Sequence, residues 1–190
     1  MNKTTTKLLF LLSFWMGSFP LSAETQNSIE FRTAAFWHSS GRFREIYGTV
    51  GPSFQVEAST SVYNCFQGWV NFDWFSKHGH SIGLNDPTRI SIANTSLGIK
   101  LPYVLSEQLS VYLGLGASFA RVELKNHLFN QSEKVSRLVY GGVLKSGFYY
   151  YFTDNLFLDT FFDYLYQPNN YQTHVDLGGF KTGLGIGMHF

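Results

Sequence analysis

Histidine, serine and carboxylate side chains are the residue types most able to do chemistry here, and five of the six histidines share one kind of setting. His38, His78, His80, His127 and His174 fall in or beside polar, glycine-containing stretches, where neutral imidazoles on converging segments could bind a transition metal. His78 and His80 are two apart, but no carboxylate or third histidine completes a ligand spacing, so solvated loop residues are the simpler reading. Two neighbour sets, His38-Ser39-Ser40 and His80-Ser81, supply the residue types of an acyl-transfer triad, with Glu45 or Asp86 available as orienting carboxylates. Adjacent residues of a continuing strand point to opposite faces, so neither set has triad geometry unless a loop bends it. A G-x-S-x-G elbow is absent. The single Cys65 excludes an intrachain disulfide framework and a cysteine-cluster metal site. No cofactor is expected.

The elements that position these residues are strands. After the N-terminal segment the chain repeats one unit, about ten residues with apolar side chains at every second position and then a polar, glycine-containing break; period two means strand. Phe180, Thr182, Leu184, Ile186, Met188 and Phe190 share one face, opposite Gly179, Lys181, Gly183, Gly185, Gly187 and His189. Eight such segments lie near 29–38, 53–63, 68–77, 90–102, 109–122, 138–152, 156–166 and 177–190. Their connections alternate, long at 39–52, 78–89, 123–137 and 167–176, short at 64–67, 103–108 and 153–155. An even strand count with alternating loop lengths predicts an all-β, antiparallel, up-and-down transmembrane barrel with four long outer loops and short periplasmic turns.

A soluble eight-stranded ligand barrel has the same period, and volume separates the two. Eight strands enclose only enough room for side chains or one small ligand. The face opposite the apolar rows is small, with Gly98, Gly114, Gly116, Gly183, Gly185 and Gly187 beside Ser59, Ser61, Ser96 and Ser118, which suits a narrow interior. The same face holds Glu30, Arg32, Glu57, Asp73, Lys100, Lys145, Asp159, Asp163 and Lys181, four cations and five carboxylates. Facing lipid, a Lys or Arg at mid-depth costs about 2–4 kcal/mol, so these charges are expected to form a network in the lumen. Strand three has bulk on both faces and strand seven places Phe157 and Phe161 inward; a bulge in either would re-aim part of it.

Of the 34 aromatics, 18% of the chain, fourteen are expected to form two interfacial belts. Trp37, Phe72, Trp74, Phe119, Tyr164, Tyr166 and Phe180 lie towards the long loops, and Trp69, Tyr103, Tyr149, Tyr150, Tyr151, Phe152 and Phe190 towards the short turns. Only 14% of residues are charged, and the mean hydropathy of −0.06 is too low for a helical membrane protein. Residues 1–23 read as a secretory signal, with Lys3 and Lys7 before the apolar Leu8–Phe19 and a small-residue exit at Ala23, leaving a mature barrel domain at 24–190. Loss of those two lysines leaves 12 basic against 13 acidic residues, and with no basic run the chain has no footprint for nucleic acid.

With the signal, the strands, the loop rhythm and the terminal Gly183-Leu184-Gly185-Ile186-Gly187-Met188-His189-Phe190, the mature chain resembles the small outer-membrane barrels of the opacity-protein, OmpX and OmpW-like kind. The resemblance implies that Phe190, with Met188 and Ile186, is the recognition signal for the barrel-assembly machinery. It implies a bacterial outer-membrane location among lipid and lipopolysaccharide; the chain is expected to be a monomer. It leaves activity open, because such barrels include adhesins, narrow channels and lipid-modifying enzymes. The His-x-Ser arrangement of the barrel lipid deacylases is absent. The expectation is a non-enzymatic structural and surface-interaction protein that presents loops to a surface ligand; the alternative is a narrow channel for small or hydrophobic solutes. Loop cations Arg42, Arg44, Lys77, Arg89, Lys125, Lys134 and Arg137 outnumber Glu45, Asp86, Glu123, Glu133 and Asp176, and Arg42 and Arg44 are the candidate lipopolysaccharide contacts, since guanidinium suits phosphate. Leu128 and Phe129 stand out as apolar residues at a loop tip.

Overall fold

The computed structural model describes residues 27–63, 65–81, 86–128, 131–168 and 176–190. The expected signal segment, Phe129 and His174 lie outside them. Eight antiparallel strands, β1 (Asn27–His38), β2 (Val50–Tyr63), β3 (Phe66–His80), β4 (Pro87–Ser106), β5 (Leu109–Leu128), β6 (Gln131–Tyr151), β7 (Leu156–Tyr166) and β8 (Gly179–His189), close into a barrel in sequence order. From Asn27 the cross-strand partners run through Thr60, Gly68, Ile99, Leu115, Leu144, Tyr164 and Phe180 and return to β1 at Trp37, ten residues further along. Ten residues of stagger over eight strands tilt them by roughly 40° and set a backbone radius of roughly 8 Å. Such a barrel has room for one layer of inward side chains and little else.

Burial alternates as the side-chain pattern requires. On β1 and β2 the inward Glu30, Arg32, Gln55 and Glu57 are buried, and the outward Phe31, Phe54 and Val56 are exposed. The same holds around the wall, where Leu113, Leu115, Leu144, Leu184 and Ile186 all face out. An apolar exterior round a charged interior is the inverse of a soluble domain and matches a lipid-facing wall.

Several expectations need correction. The aromatics of strands three and seven need no bulge: Trp69, Phe75, Phe157 and Phe161 point inward in unbroken register and are buried. Glycine makes the space, since the ring of Trp69 lies where a side chain on Gly116 would stand. Trp69 and Tyr149, each 4% exposed, therefore belong to the interior and not to the short-turn belt, and Tyr151 packs on the same inner layer. The bulges lie elsewhere, between Ser61 and Tyr63 and between Val104 and Ser106.

The outer loops are also shorter than expected, because β3 to β6 extend past the barrel. Pairing continues through Thr88↔Asn126 and ends at Leu128↔Gln131, so most of 78–89 and 123–137 is strand. Outward positions there carry Ser91, Glu123, Lys125 and Ser136, which interrupts the apolar alternation without interrupting the hydrogen-bond ladder. The loop 39–52 holds a helix, α1 (Gly41–Tyr47), capped by Ser40 and ended by Gly48 at φ 81°.

Candidate functional site

The lumen is filled in three layers. Towards the short turns, Tyr112, Tyr149, Phe157 and Phe161 pack together, with His189 against the Phe157 ring at 4.7 Å. The charged residues lie among and above them, with Asp159 between Phe157 and Phe161 on β7, and all nine predicted lumen charges are buried. Glu57 is its hub: Lys145 pairs with it, Arg32 Nη1 and Lys100 Nζ donate at 3.1 and 3.0 Å, and Asn71 Nδ2 adds a bond at 3.2 Å. Glu30 takes Lys100 at 3.4 Å and the Tyr149 hydroxyl at 3.1 Å. Arg32 also donates to the Tyr112 hydroxyl at 2.9 Å, reaches Asp163 at 3.4 Å and lies 3.7 Å from the Phe161 ring centroid. Its Nε is 2.9 Å from Asp159, near enough for an ion pair but misaligned for a hydrogen bond. Lys181 pairs with Asp73, which also accepts from Ser53 Oγ at 2.5 Å.

These pairings follow from register. Lys145, Asp163 and Lys181 are consecutive cross-strand neighbours on β6, β7 and β8, whereas Arg32 reaches Asp163 and Lys100 reaches Glu30 on strands that are not their neighbours. Buried ions need partners because desolvation costs several kcal/mol each, and here each cation has at least one carboxylate within 4 Å. The chemistry of the layer is mutual neutralisation. A small polar cavity of about 10 Å³ among Asn71, Asp73, Asn94, Lys145 and Lys181 has room for about one water.

The third layer closes the opposite end, beneath α1. Phe43 and Tyr47 of α1 reach down onto Phe36, Phe75, Ile90, Val122 and Leu177. Tyr47 Oη lies 3.2 Å from Thr88 Oγ1, and burial pushes the Tyr47 phenol pKa above its ordinary value, against the opposing pull of that hydrogen bond. A side chain on Gly79 would collide with the Ile46 carbonyl and the Tyr47 ring, so glycine allows the helix to lie against β3. This cap was legible only in the Phe43/Tyr47 spacing of four behind a serine cap, a pattern of one helical turn.

The catalytic candidates are not assembled. His38 is buried with its ring stacked 3.8 Å from Phe43 and tilted against Phe36 at 3.9 Å. Ser39 Oγ lies 2.9 Å from Asp176, Ser40 caps α1, and Ser81 Oγ accepts from the Asp86 amide at 3.1 Å. Glu45, Arg42 and Arg44 lie on the exposed side of α1, and His78 and His80 on the exposed outer end of β3. Among the described residues no group of three or more His, Cys, Asp or Glu side chains could hold a metal ion. Phe190 follows β8, exposed, its amide bonded to the Asn27 carbonyl at 3.0 Å.

No protein-family model matches the sequence, and no curated protein matches it either. Solved structures do match by fold. Neisserial surface protein A aligns over 88% of this chain and 100% of its own, with a TM-score of 0.67 at 16% identity. OprG of Pseudomonas aeruginosa aligns over 87% and 96%, with 0.70 at 11%. Ail, the attachment invasion locus protein of Yersinia pestis, crystallised with the heparin analogue sucrose octasulfate, aligns over 86% and 99%, with 0.56 at 17%. The chain has the fold of the small eight-stranded outer-membrane barrels.

Proposed function

We propose that the chain is a non-enzymatic, integral protein of a bacterial outer membrane, a monomer whose filled barrel is a rigid scaffold and whose helix-bearing end meets the exterior. The observation that carries this reading is the inversion of polarity, with four cations paired to five carboxylates inside a wall of exposed Leu, Ile and aromatic side chains. Residues 1–23 fit it as an export signal removed before Glu24. Phe190, Met188 and Ile186 fit it as the signal read by the barrel-assembly machinery. Arg42 and Arg44, on the exposed side of the cap helix, offer guanidinium groups to lipopolysaccharide phosphates or to a surface ligand.

A narrow channel needs a continuous polar path. The aromatic layer, the charged layer and the α1 cap all obstruct one. Lipid hydrolysis needs a free serine beside a basic imidazole, whereas the candidate serines serve turns and caps. Planar-bilayer recording separates these readings. The scaffold reading expects no reproducible steps. Steps abolished by enlarging the inward Gly114 or Gly185 would establish the channel instead.

A further inference from the structure

The segment that caps the mouth is tied to the wall at one point. The His38 amide donates to the Thr49 carbonyl at 3.4 Å, so residues 39–48 leave and rejoin the barrel together. Glycines stand at both ends of the helix they carry, Gly41 with open space where a side chain would be and Gly48 at φ 81°. Closed, the segment lays Phe43 on the His38 ring at 3.8 Å, with the Phe36 and Phe75 rings 3.9 and 4.8 Å from the same imidazole. Phe36, His38 and Phe75 belong to the wall strands. Of these four rings, only Phe43 travels with the cap, and its departure lets water reach His38.

His38 is 2% exposed, and neither ring nitrogen has a hydrogen-bond partner among the described residues. The Leu177 backbone faces the ring without the geometry of a hydrogen bond. From β8 and β3, Lys181 and Lys77 are the charges that act on the imidazole, and both are cations. Lys181 lies 4.5 Å from the Phe36 centroid and pairs with Asp73, while Lys77 donates to the Val50 carbonyl. In the β7–β8 connection, Asp176 accepts from Ser39 Oγ and from the Gln167 and Gly178 amides. On α1, Tyr47 meets Thr88, and Arg42, Arg44 and Glu45 lie on the exposed side. A neutral imidazole fits among these rings as one more flat side chain. An imidazolium would bring a charge and a second N–H donor to a dry site that offers it two ammonium neighbours and no bonded carboxylate.

We infer that His38 makes the cap an acid-released latch, closed over a neutral imidazole and open over a protonated one. The proton shifts the balance because it binds the open state and not the closed one. Linkage sets the sign and the slope. The open form binds one proton more, so the ratio of closed to open is level above the ordinary histidine range and falls about tenfold for each pH unit below about 6.5. Release uncovers Phe36, Phe43, Tyr47 and Phe75 at the mouth and leaves the charged layer beneath them in place. The latch rests on the outer-membrane reading only in that the acid then comes from outside the cell.

The test is amide hydrogen exchange of the refolded barrel in detergent micelles, expressed as protection relative to the unstructured chain so that the intrinsic pH dependence of exchange drops out. The Gly48 amide, bonded to the Arg44 carbonyl at 2.8 Å, reports the cap, and ladder amides between β1 and β8 report the barrel. From about pH 6.5 to about pH 4.5 the Gly48 protection is expected to fall about fiftyfold in wild type and to stay level in His38→Phe and His38→Gln, with the barrel amides unmoved. A second measurement needs no variant. The His38 imidazole, followed by NMR in wild type, is expected to keep its neutral shift for as long as the cap is protected. An imidazole that titrates near its ordinary value under a protected cap would overturn the inference, as would a fall in protection that survives both His38 variants and disappears in Asp176→Asn. A failure of the outer-membrane reading shows separately, as a barrel that enters no lipid vesicle and lacks heat-modifiable gel mobility whatever the cap does.

Discussion

Glu30 and Glu57 stand directly opposite each other on β1 and β2, both buried, with the Lys100 ammonium 3.4 Å from one and 3.0 Å from the other. Two carboxylates in a cross-strand pair would repel strongly in a dry interior. Lys100 bridges them, while Arg32 and Lys145 complete the neutralisation at Glu57. The lumen is therefore held by cations that cross it as well as by the hydrogen-bond ladder of its wall.

Removing Lys100 should expose that repulsion. Lys100→Met is expected to destabilise the barrel by about 3–5 kcal/mol, the usual cost of breaking a buried ionic cluster from one side. Adding Glu30→Gln to that variant should recover part of the loss, since one of the two opposed carboxylates is then neutral. Urea unfolding of the refolded protein in detergent gives both values, and a Lys100→Met midpoint equal to wild type would contradict the bridging role.

Trp69 and Gly116 fill one space between them, and a Cβ at position 116 would meet both the indole and the Leu97 carbonyl. Gly116→Val is expected to cost at least about 1–3 kcal/mol by overpacking. Trp69→Leu in the same chain should relieve the side-chain part of the clash and leave the backbone part. Unchanged stability in Gly116→Val would mean that Trp69 does not lie in the lumen.

The cap should yield separately from the barrel. Phe43→Ala removes a buried ring that helps close the mouth, a change worth about 3–5 kcal/mol in a packed core. The expected result is faster tryptic cleavage after Arg42 and Arg44 with heat-modifiable mobility intact, and Ser40→Ala should act in the same direction by about 1 kcal/mol. Conductance should stay absent, because the charged layer still fills the lumen. Loss of the folded band would contradict an independent cap.

Phe190 makes its hydrogen bond to Asn27 through the backbone, and its ring is exposed. Phe190→Ala should therefore leave the unfolding midpoint within about 0.5 kcal/mol of wild type, as surface substitutions usually do. Its expected effect is on delivery, read as less folded protein in the outer-membrane fraction of cells. Normal delivery would remove the assembly role.

The sequence made the wall legible because each strand across the apolar belt alternates, as in Phe180 to Phe190, and parity then assigned all nine charges to the inside. It hid what depends on depth along the barrel. Above the belt, outward positions such as Ser91, Glu123 and Ser136 are polar, so β4 to β6 look like loops although Ile90, Ile92 and Val122 keep the inward period. Trp69 and Tyr149 look like belt residues by position, yet parity sends both inward. Salt-bridge partners were not legible, because Arg32 and Asp163 meet only once ten residues of stagger close the barrel.

Inverted polarity is the central claim, and two tryptophans five residues apart test it most directly. Trp74 faces outward at 48% exposure, and Trp69 is buried in the lumen above which Lys145 Nζ lies 4.5 Å from its ring centroid. Single-tryptophan variants retaining one or the other, refolded into vesicles of brominated-chain phospholipid, give the measurement. Strong fluorescence quenching of Trp74 with little quenching of Trp69 is the predicted result. Quenching of Trp69 and not Trp74, or of neither, would contradict a lipid-facing apolar wall around a charged lumen.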